Sequence, residues 1–382
     1  MGPLQGIKII EVAGIGPTQF CGMLLADMGA TVLRIVRPDA TDVGVGLPEK
    51  FNLMNRSRPA VVVDLKSAAG IETLLTLCES ADALFEGFRP GVMERLGLGP
   101  DVCWERNKRL VYGRMTGWGQ NGPLADSVGH DANYAALSGV LGAIGEKEGN
   151  PVIPLNLVAD FGGGGAYLAM GILAALLETN RSGKGQVVDA AMVDGASSQM
   201  TLFYGMYAAG IWRDERGSNF LDGAAPFYRS YRTADDKFVV VAAIEPRFFA
   251  ELLETLGVTE ISPRDQYDQS RWESQAEIFV SIFASKSRDA WCEIFSGTNT
   301  CFAPVLSLAE APLHEHNQAR TTFVEVDGIV QPAPAPRFSR TESEISSAPA
   351  KSNDSDLELL TDWGFTDDDI GRLRTAGAFG SE

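Results

Sequence analysis

Apolar residues run almost without a break from Ile7 to Val12. Gly14-Ile15-Gly16-Pro17 interrupts them, Thr18 to Met28 carries apolar side chains at helical spacing, and Thr31 to Val36 is apolar and β-branched again. This order predicts a βαβ unit. It recurs with Ala60 to Asp64 as strand, Ala68 to Glu79 as helix, Ala83 to Glu86 as strand, Gly91 to Leu96 as helix and Leu110 to Arg114 as strand. Strands alternating with helices imply an α/β fold with a Rossmann-like, doubly wound parallel sheet.

After the loop composition of Gly117 to Pro123, helices are expected at Ala132 to Leu141 and, long and apolar, from Gly162 to about Asn180. Gln186 to Asp189 reads as a strand, Ala191 to Gly210 as helix, and Ile211 to Ala225 as a linker rich in Gly, Asp, Arg and Asn. From Phe227 the period drops to two, and a hairpin with a turn at Asp235-Asp236 returns through Lys237 to Ile244. Amphipathic helices follow at Phe248 to Leu256, Glu273 to Ala284 and Arg288 to Phe295, then a strand at Cys301 to Leu306. Pro, Ser and acidic residues mark a loose segment through Pro332 to Ser339 and Ser343 to Asp356, before a last helix at Asp367 to Thr375. The expected organisation is a large α/β domain over 1–190, helix and linker over 191–225, a smaller α+β domain over 226–325, and a return segment over 326–382 whose helix packs on the large domain.

At 382 residues the chain is too long for one small module. Its net charge of −18 repels phosphate backbones and anionic lipid, which disfavours nucleic acid and membrane surfaces as partners. The five scattered cysteines include no CxxC pair, so neither a disulfide framework nor a zinc site is expected. The N-terminal residues lack the pattern of a cleavable signal, and a cytoplasmic location is expected.

Against that charge, Arg37, Arg56, Arg58, Lys66, Arg89 and Arg95 gather near predicted strand ends, where open α/β sheets bind ligands. The set favours a polyphosphate ligand. A dinucleotide is disfavoured: Gln19 stands where the glycine fingerprint needs a third glycine, and the second strand carries Arg34 and ends at Arg37 instead of an acidic residue. Of the three histidines, His314 and His316 have no third ligand nearby, so no metal is expected. His130 sits in Gly129-His130-Asp131 at a predicted helix start that Asp131 could cap. Asp160 precedes Phe161 and four consecutive glycines, whose bare main chain could approach an oxyanion; Gly162 and Gly163 are the candidate donors. Glu245-Pro246 opens the first helix of the smaller domain. Neither a nucleophile elbow nor a P-loop is present.

Along almost its whole length the sequence resembles the α-methylacyl-CoA racemases, a branch of the class III (family III) CoA-transferase superfamily. The likeness rests on Gly14-Ile15-Gly16-Pro17, Asp64-Leu65-Lys66, the stretch Glu86 to Gly97 with Arg89-Pro90-Gly91 at its centre, Arg114 to Gln120, Gly129-His130-Asp131, Asp160 to Gly164, Gly183 to Asp189 and Ile244-Glu245-Pro246. The Arg-Pro-Gly segment marks the superfamily, and the combination of His130, Asp160 and Glu245 resembles the racemase branch. The resemblance implies that His130 and Asp160 exchange the α-proton of a 2-methylacyl-CoA through an enolate while Glu245 supports the histidine. It places CoA against Ile15, Arg37, Val63, Leu65, Lys66, Leu84, Arg89, Arg95 and Tyr134, as part of the substrate, with no further cofactor. It also implies an interlocked homodimer in which Glu245 comes from the second subunit. The alternative within the fold is a CoA-transferase in which Asp160 attacks the thioester and forms an acyl anhydride.

Overall fold

The computed structural model describes residues 2–12, 14–38, 46–349 and 354–380. They divide into two compact units: Met1–Ser138 with Leu155–Gln199 and Thr321–Glu382, and Gly139–Pro154 with Met200–Arg320.

The larger unit is built on six parallel strands, β1 (Lys8–Val12), β2 (Thr31–Val36), β3 (Ala60–Val62), β4 (Ala83–Glu86), β5 (Val111–Thr116) and β6 (Val187–Ala191), in the order β3-β2-β1-β4-β5-β6. This is the doubly wound order, with its switch point between β1 and β4. Ile9, Ile10, Leu84 and Phe85 are fully buried. The central strands read as unbroken apolar runs because both faces of a parallel sheet are covered. The helices α1 (Pro17–Asp27), α2 (Ala68–Ser80), α3 (Val92–Arg95), α4 (Pro100–Arg106) and α5 (Asp131–Leu137) alternate with or follow the first five strands.

The single helix expected over Ala132 to Leu141 is broken. Gly139 adopts φ +87°, and the short α6 (Val140–Ala143) belongs to the smaller unit. The expected apolar helix begins earlier than Gly162 and in another geometry, as a π-helix over Leu157–Gly165 that runs into α7 (Ala166–Ser182). By length and composition the run Leu157–Ser182 could cross a membrane. Leu168, Ala169, Ile172 and Ala175 on its inner face are buried, and α7 packs on β5, β6 and α1. The helix α8 (Met192–Gln199) ends the central part of this unit.

The smaller unit begins its last run with α9 (Thr201–Ala208), followed by an antiparallel sheet of β7 (Tyr228–Arg232), β8 (Phe238–Ala242) and β9 (Phe302–Val305), with β8 in the middle. The helices α10 (Pro246–Leu256), α11 (Trp272–Phe283) and α12 (Arg288–Phe295) cover it, and α13 (Glu315–Ala319) closes the unit. Its core is aromatic: Tyr231, Phe249, Phe279, Phe283 and Trp291 are buried together. Residues 139–154 join this unit although the sequence assigns them to the large domain. The Arg216 guanidinium donates to the Gly149 carbonyl, and Lys147 pairs with Glu215 at 3.7 Å.

The return segment carries an unexpected hairpin, β10 (Phe323–Val326) and β11 (Ile329–Pro332). Leu360, Trp363 and Phe365 then enter the core of the larger unit beside Leu74 and Leu77, and α14 (Asp367–Thr375) is the last helix among the described residues. The composition of Ser343 to Asp356 had suggested only a loose connection, and 350–353 lie outside the described residues.

Candidate active site

The six basic residues gathered by the sequence separate into two groups. Arg58 forms a fully buried ion pair with Glu11 of β1, and Arg56 pairs with Asp27 of α1 at 2.5 Å while reaching the Pro332 carbonyl at 2.8 Å. Arg34 is likewise buried, 3.7 Å from Glu49. Buried charges of this kind need a partner, and these arginines are spent as staples. Arg37, Lys66, Arg89 and Arg95 are exposed and have no ion-pair partner among the described residues. Arg37 follows β2, Lys66 lies four residues beyond β3, Arg89 three beyond β4, and Arg95 ends α3. All four therefore follow the carboxyl ends of parallel strands, on both sides of the switch point.

The other residues named for CoA divide in the same way. Ile15 is exposed on the turn after β1. Val63, Leu65 and Leu84 are core side chains, exposed by no more than 5%, so a ligand there would meet main chain. Tyr134 is also buried; it stands edge-on to Trp118 at 4.7 Å. Burial, with the charge of Asp160 added, pushes its phenol up to about 12.

His130 is the N-cap residue of α5, with an exposed imidazole, and its main-chain N–H donates to Asn133 Oδ1 at 3.0 Å. Asp131 therefore does not cap the helix. It is the first helical residue, and its buried Oδ1 accepts the N–H groups of Ala159 and Asp160, each at 2.8 Å. This carboxylate joins the start of α5 to the first turn of the π-helix. Asp160 is half-buried, and Asn156 donates its Nδ2 to Asp160 Oδ2 at 3.2 Å. Burial raises the Asp160 carboxyl above the usual range; the Asn156 bond opposes this, the Asp131 charge adds to it, and His130 opposes it. The His130 side chain is thus near enough for its charge to act on Asp160.

Glycines bring neighbouring elements close to Asp160. Gly16 holds φ +59° and ψ −110°, and a Cβ there would lie 3.3 Å from Asp160 Oδ2. Gln19 Oε1 accepts the Gly16 N–H at 3.2 Å, while its Nε2 donates to Asn55 Oδ1 at 3.2 Å. At Gly163 a Cβ would meet the Ala196 nitrogen at 2.5 Å, and one on Gly195 would lie 1.9 Å from the Gly163 oxygen. The glycine run lets the π-helix cross α8 in direct main-chain contact. The i→i+5 pattern also directs the N–H groups of Gly162 and Gly163 to the carbonyls of Leu157 and Val158, which removes them as free oxyanion donors. The N–H groups of Asp131 and Ala132 lie in a first helical turn that has no intrahelical acceptor for them.

Glu245 belongs to the smaller unit. It is exposed at the N-cap of α10, with Pro246 at the first helical position and no side-chain cap bond. The capping duty that its position suggests is therefore not performed. Gln266 and Tyr267 donate to the Ile244 carbonyl at 2.8 and 2.7 Å and hold the turn before it.

Asn156 and Gln19 were missed as site residues. Asn156 stands four residues before Asp160, a helical spacing hidden because the helix was expected to start later. Gln19 reads in the sequence as a missing glycine, yet it holds the third position of a helix beginning at Pro17.

A doubly wound sheet with cations beyond its strand ends, and with a histidine at the start of α5 and a raised aspartate on the π-helix, defines an open α/β protein. The model of CoA-transferase family III matches residues 4–355, and the chain belongs to that family. It is 42% identical over 375 residues to the alpha-methylacyl-CoA racemase of Mus musculus, covering 97% of this chain and 96% of that protein. With the Homo sapiens protein of the same name the identity is 41% over 378 residues, at 97% and 96% coverage. A crystal structure of a CAIB/BAIF family protein from Brucella suis shares the fold, with a TM-score of 0.81 and 24% identity over 95% of this chain and 99% of that one.

Proposed function

We propose that the protein is an isomerase that interconverts the (R) and (S) forms of a 2-methylacyl-CoA by 1,1-proton transfer. One of His130 and Asp160 takes the α-proton, the electron pair moves to the thioester oxygen as an enolate, and the other returns a proton to the opposite face. The observation that carries this reading is the bond from the Asp160 N–H to Asp131, the residue after His130, together with a half-buried Asp160 carboxyl that burial raises above the usual carboxylate range. In this reading the amides of Asp131 and Ala132, in the first turn of α5, would donate to the enolate oxygen. Arg37, Lys66, Arg89 and Arg95 offer charge to the CoA phosphates, and binding energy from that distant part of the ester would position the reacting carbon. The reaction asks for no further cofactor. Glu245 remains the proposed support for the histidine, supplied within a homodimer by the second subunit, as the family resemblance implies.

The test is incubation with one enantiomer of a 2-methylacyl-CoA in deuterated water, with and without a carboxylic acid acceptor. Uptake of α-deuterium together with loss of optical purity, independent of the acceptor, is expected. Transfer of CoA to the acceptor without α-exchange would instead make Asp160 a nucleophile and the protein a transferase.

A further inference from the structure

We propose that Asp131 is a positioning residue for the proton-transfer pair: its buried carboxylate ties the main chain of Asp160 to the residue that follows His130, and so fixes the two acid/base groups relative to each other. The inference rests on the racemase reading. Asp131 is 5% exposed and sits on α5, whereas Asp160 sits on the π-helix, 29 residues further along the chain. Elements so far apart in sequence need a bond across them to hold two side chains in a reactive arrangement. Asp131 Oδ1 supplies two, to Ala159 and Asp160. These amides lie in the first turn of the π-helix, ahead of any i−5 acceptor within it, so their capture also caps that helix.

The second oxygen, Oδ2, is buried without a hydrogen-bond partner. As a device for stability alone this is poor, because an asparagine could accept the same two N–H groups without the cost of a buried charge. What the carboxylate adds is a negative charge beside Asp160. Asp160 is also faced by His130 and Tyr134 from α5, by Asn156 from its own helix and by the Gly16 turn. Of these only His130 opposes the raising of Asp160 by charge, and Asp131 acts against it.

The test compares full-length Asp131→Asn and Asp131→Ala with the wild type. It reads α-deuterium exchange of a 2-methylacyl-CoA as a function of pH, with kcat and KM separated, and hydrogen–deuterium exchange of the peptide containing Ala159 and Asp160. Asp131→Ala is expected to lose about 100-fold in kcat, as for a misplacement of about 1 Å, with KM little changed and amide protection at 159–160 lost. Asp131→Asn should retain both amide bonds and most of kcat, while the acid limb of its pH profile moves to lower pH. The proposal is overturned if Asp131→Ala stays within about threefold of wild-type kcat. If Asp131→Ala does not fold, wild-type amides at 159–160 that exchange as fast as unprotected ones overturn it equally. Failure of the wild type to exchange would sink the racemase reading instead, and the amide protection would still report whether Asp131 holds the two elements together.

Discussion

Glu86 ends β4, three residues before Arg89, and its carboxyl is buried with Oε2 accepting the Phe88 N–H at 2.6 Å. Burial pushes this acid up from an ordinary value of 4.5 to about 7; the Phe88 amide and Arg114 pull against it, and Glu94 adds to it. Below pH ~4.5 the group is protonated in both folded and unfolded chains. As the pH rises toward 7 the unfolded chain ionises and the folded chain does not, so the stability present at low pH is progressively lost, and it levels off once the folded carboxyl has also ionised. The gap corresponds to about 3 kcal/mol at 1.36 kcal/mol per pH unit. Glu86→Gln can keep the bond to Phe88 and removes the ionisation. Urea denaturation of wild type and variant at several points between pH 4.5 and 8 should show the variant gaining on the wild type by about 3 kcal/mol as the pH rises. Parallel stability curves for the two proteins would refute the reasoning and mean that the folded carboxyl titrates as an ordinary glutamate.

Arg58→Met would strip the buried Glu11 of its direct ion-pair partner; a loss of about 3–5 kcal/mol in denaturation experiments is expected, and a loss below 1 kcal/mol would show that the buried pair is easily replaced. Gly16→Ala forces a side chain into a glycine-only conformation at a cost of about 1–3 kcal/mol and places its methyl 3.3 Å from Asp160 Oδ2. Its kcat should fall more than its KM rises, and unchanged kcat would separate this turn from the chemistry. Arg89→Ala should raise KM for CoA esters with kcat at saturation preserved, whereas a defect confined to kcat would remove the phosphate role.

The parallel sheet was legible because each strand is an apolar run bounded by a break, and the order of strands and helices admits few topologies. His130 and Asp160 stood out through their surroundings, a helix start and a run of glycines. Periodicity could not show that the glycine run belongs to a π-helix, since the same residues fit an ordinary helix until α8 packs against them and Gly195 meets Gly163. Nor could it separate Arg56 and Arg58 from Arg37 and Arg89. The difference lies in whether an acid of β1 or α1 comes within reach, and that is a property of the folded chain. Asp131 was visible as a residue at a helix start, but its partners lie 28 and 29 positions away, and local capping rules cannot find them.

The π-helix has a consequence for register. It spends more residues per turn than the α-helix it feeds, so it sets the angular phase of everything that precedes α7. Removing one glycine from the run would let the segment close as ordinary α-helix. Closing nine π-helical residues into eight α-helical ones would turn and shift the upstream end relative to α7, and so change the direction in which Asp160 leaves the helix while α7 stayed in place. The aspartate's aim is thus written in the spacing of the chain as well as in its residues, and a shift of one position would disarm it with every side chain still present.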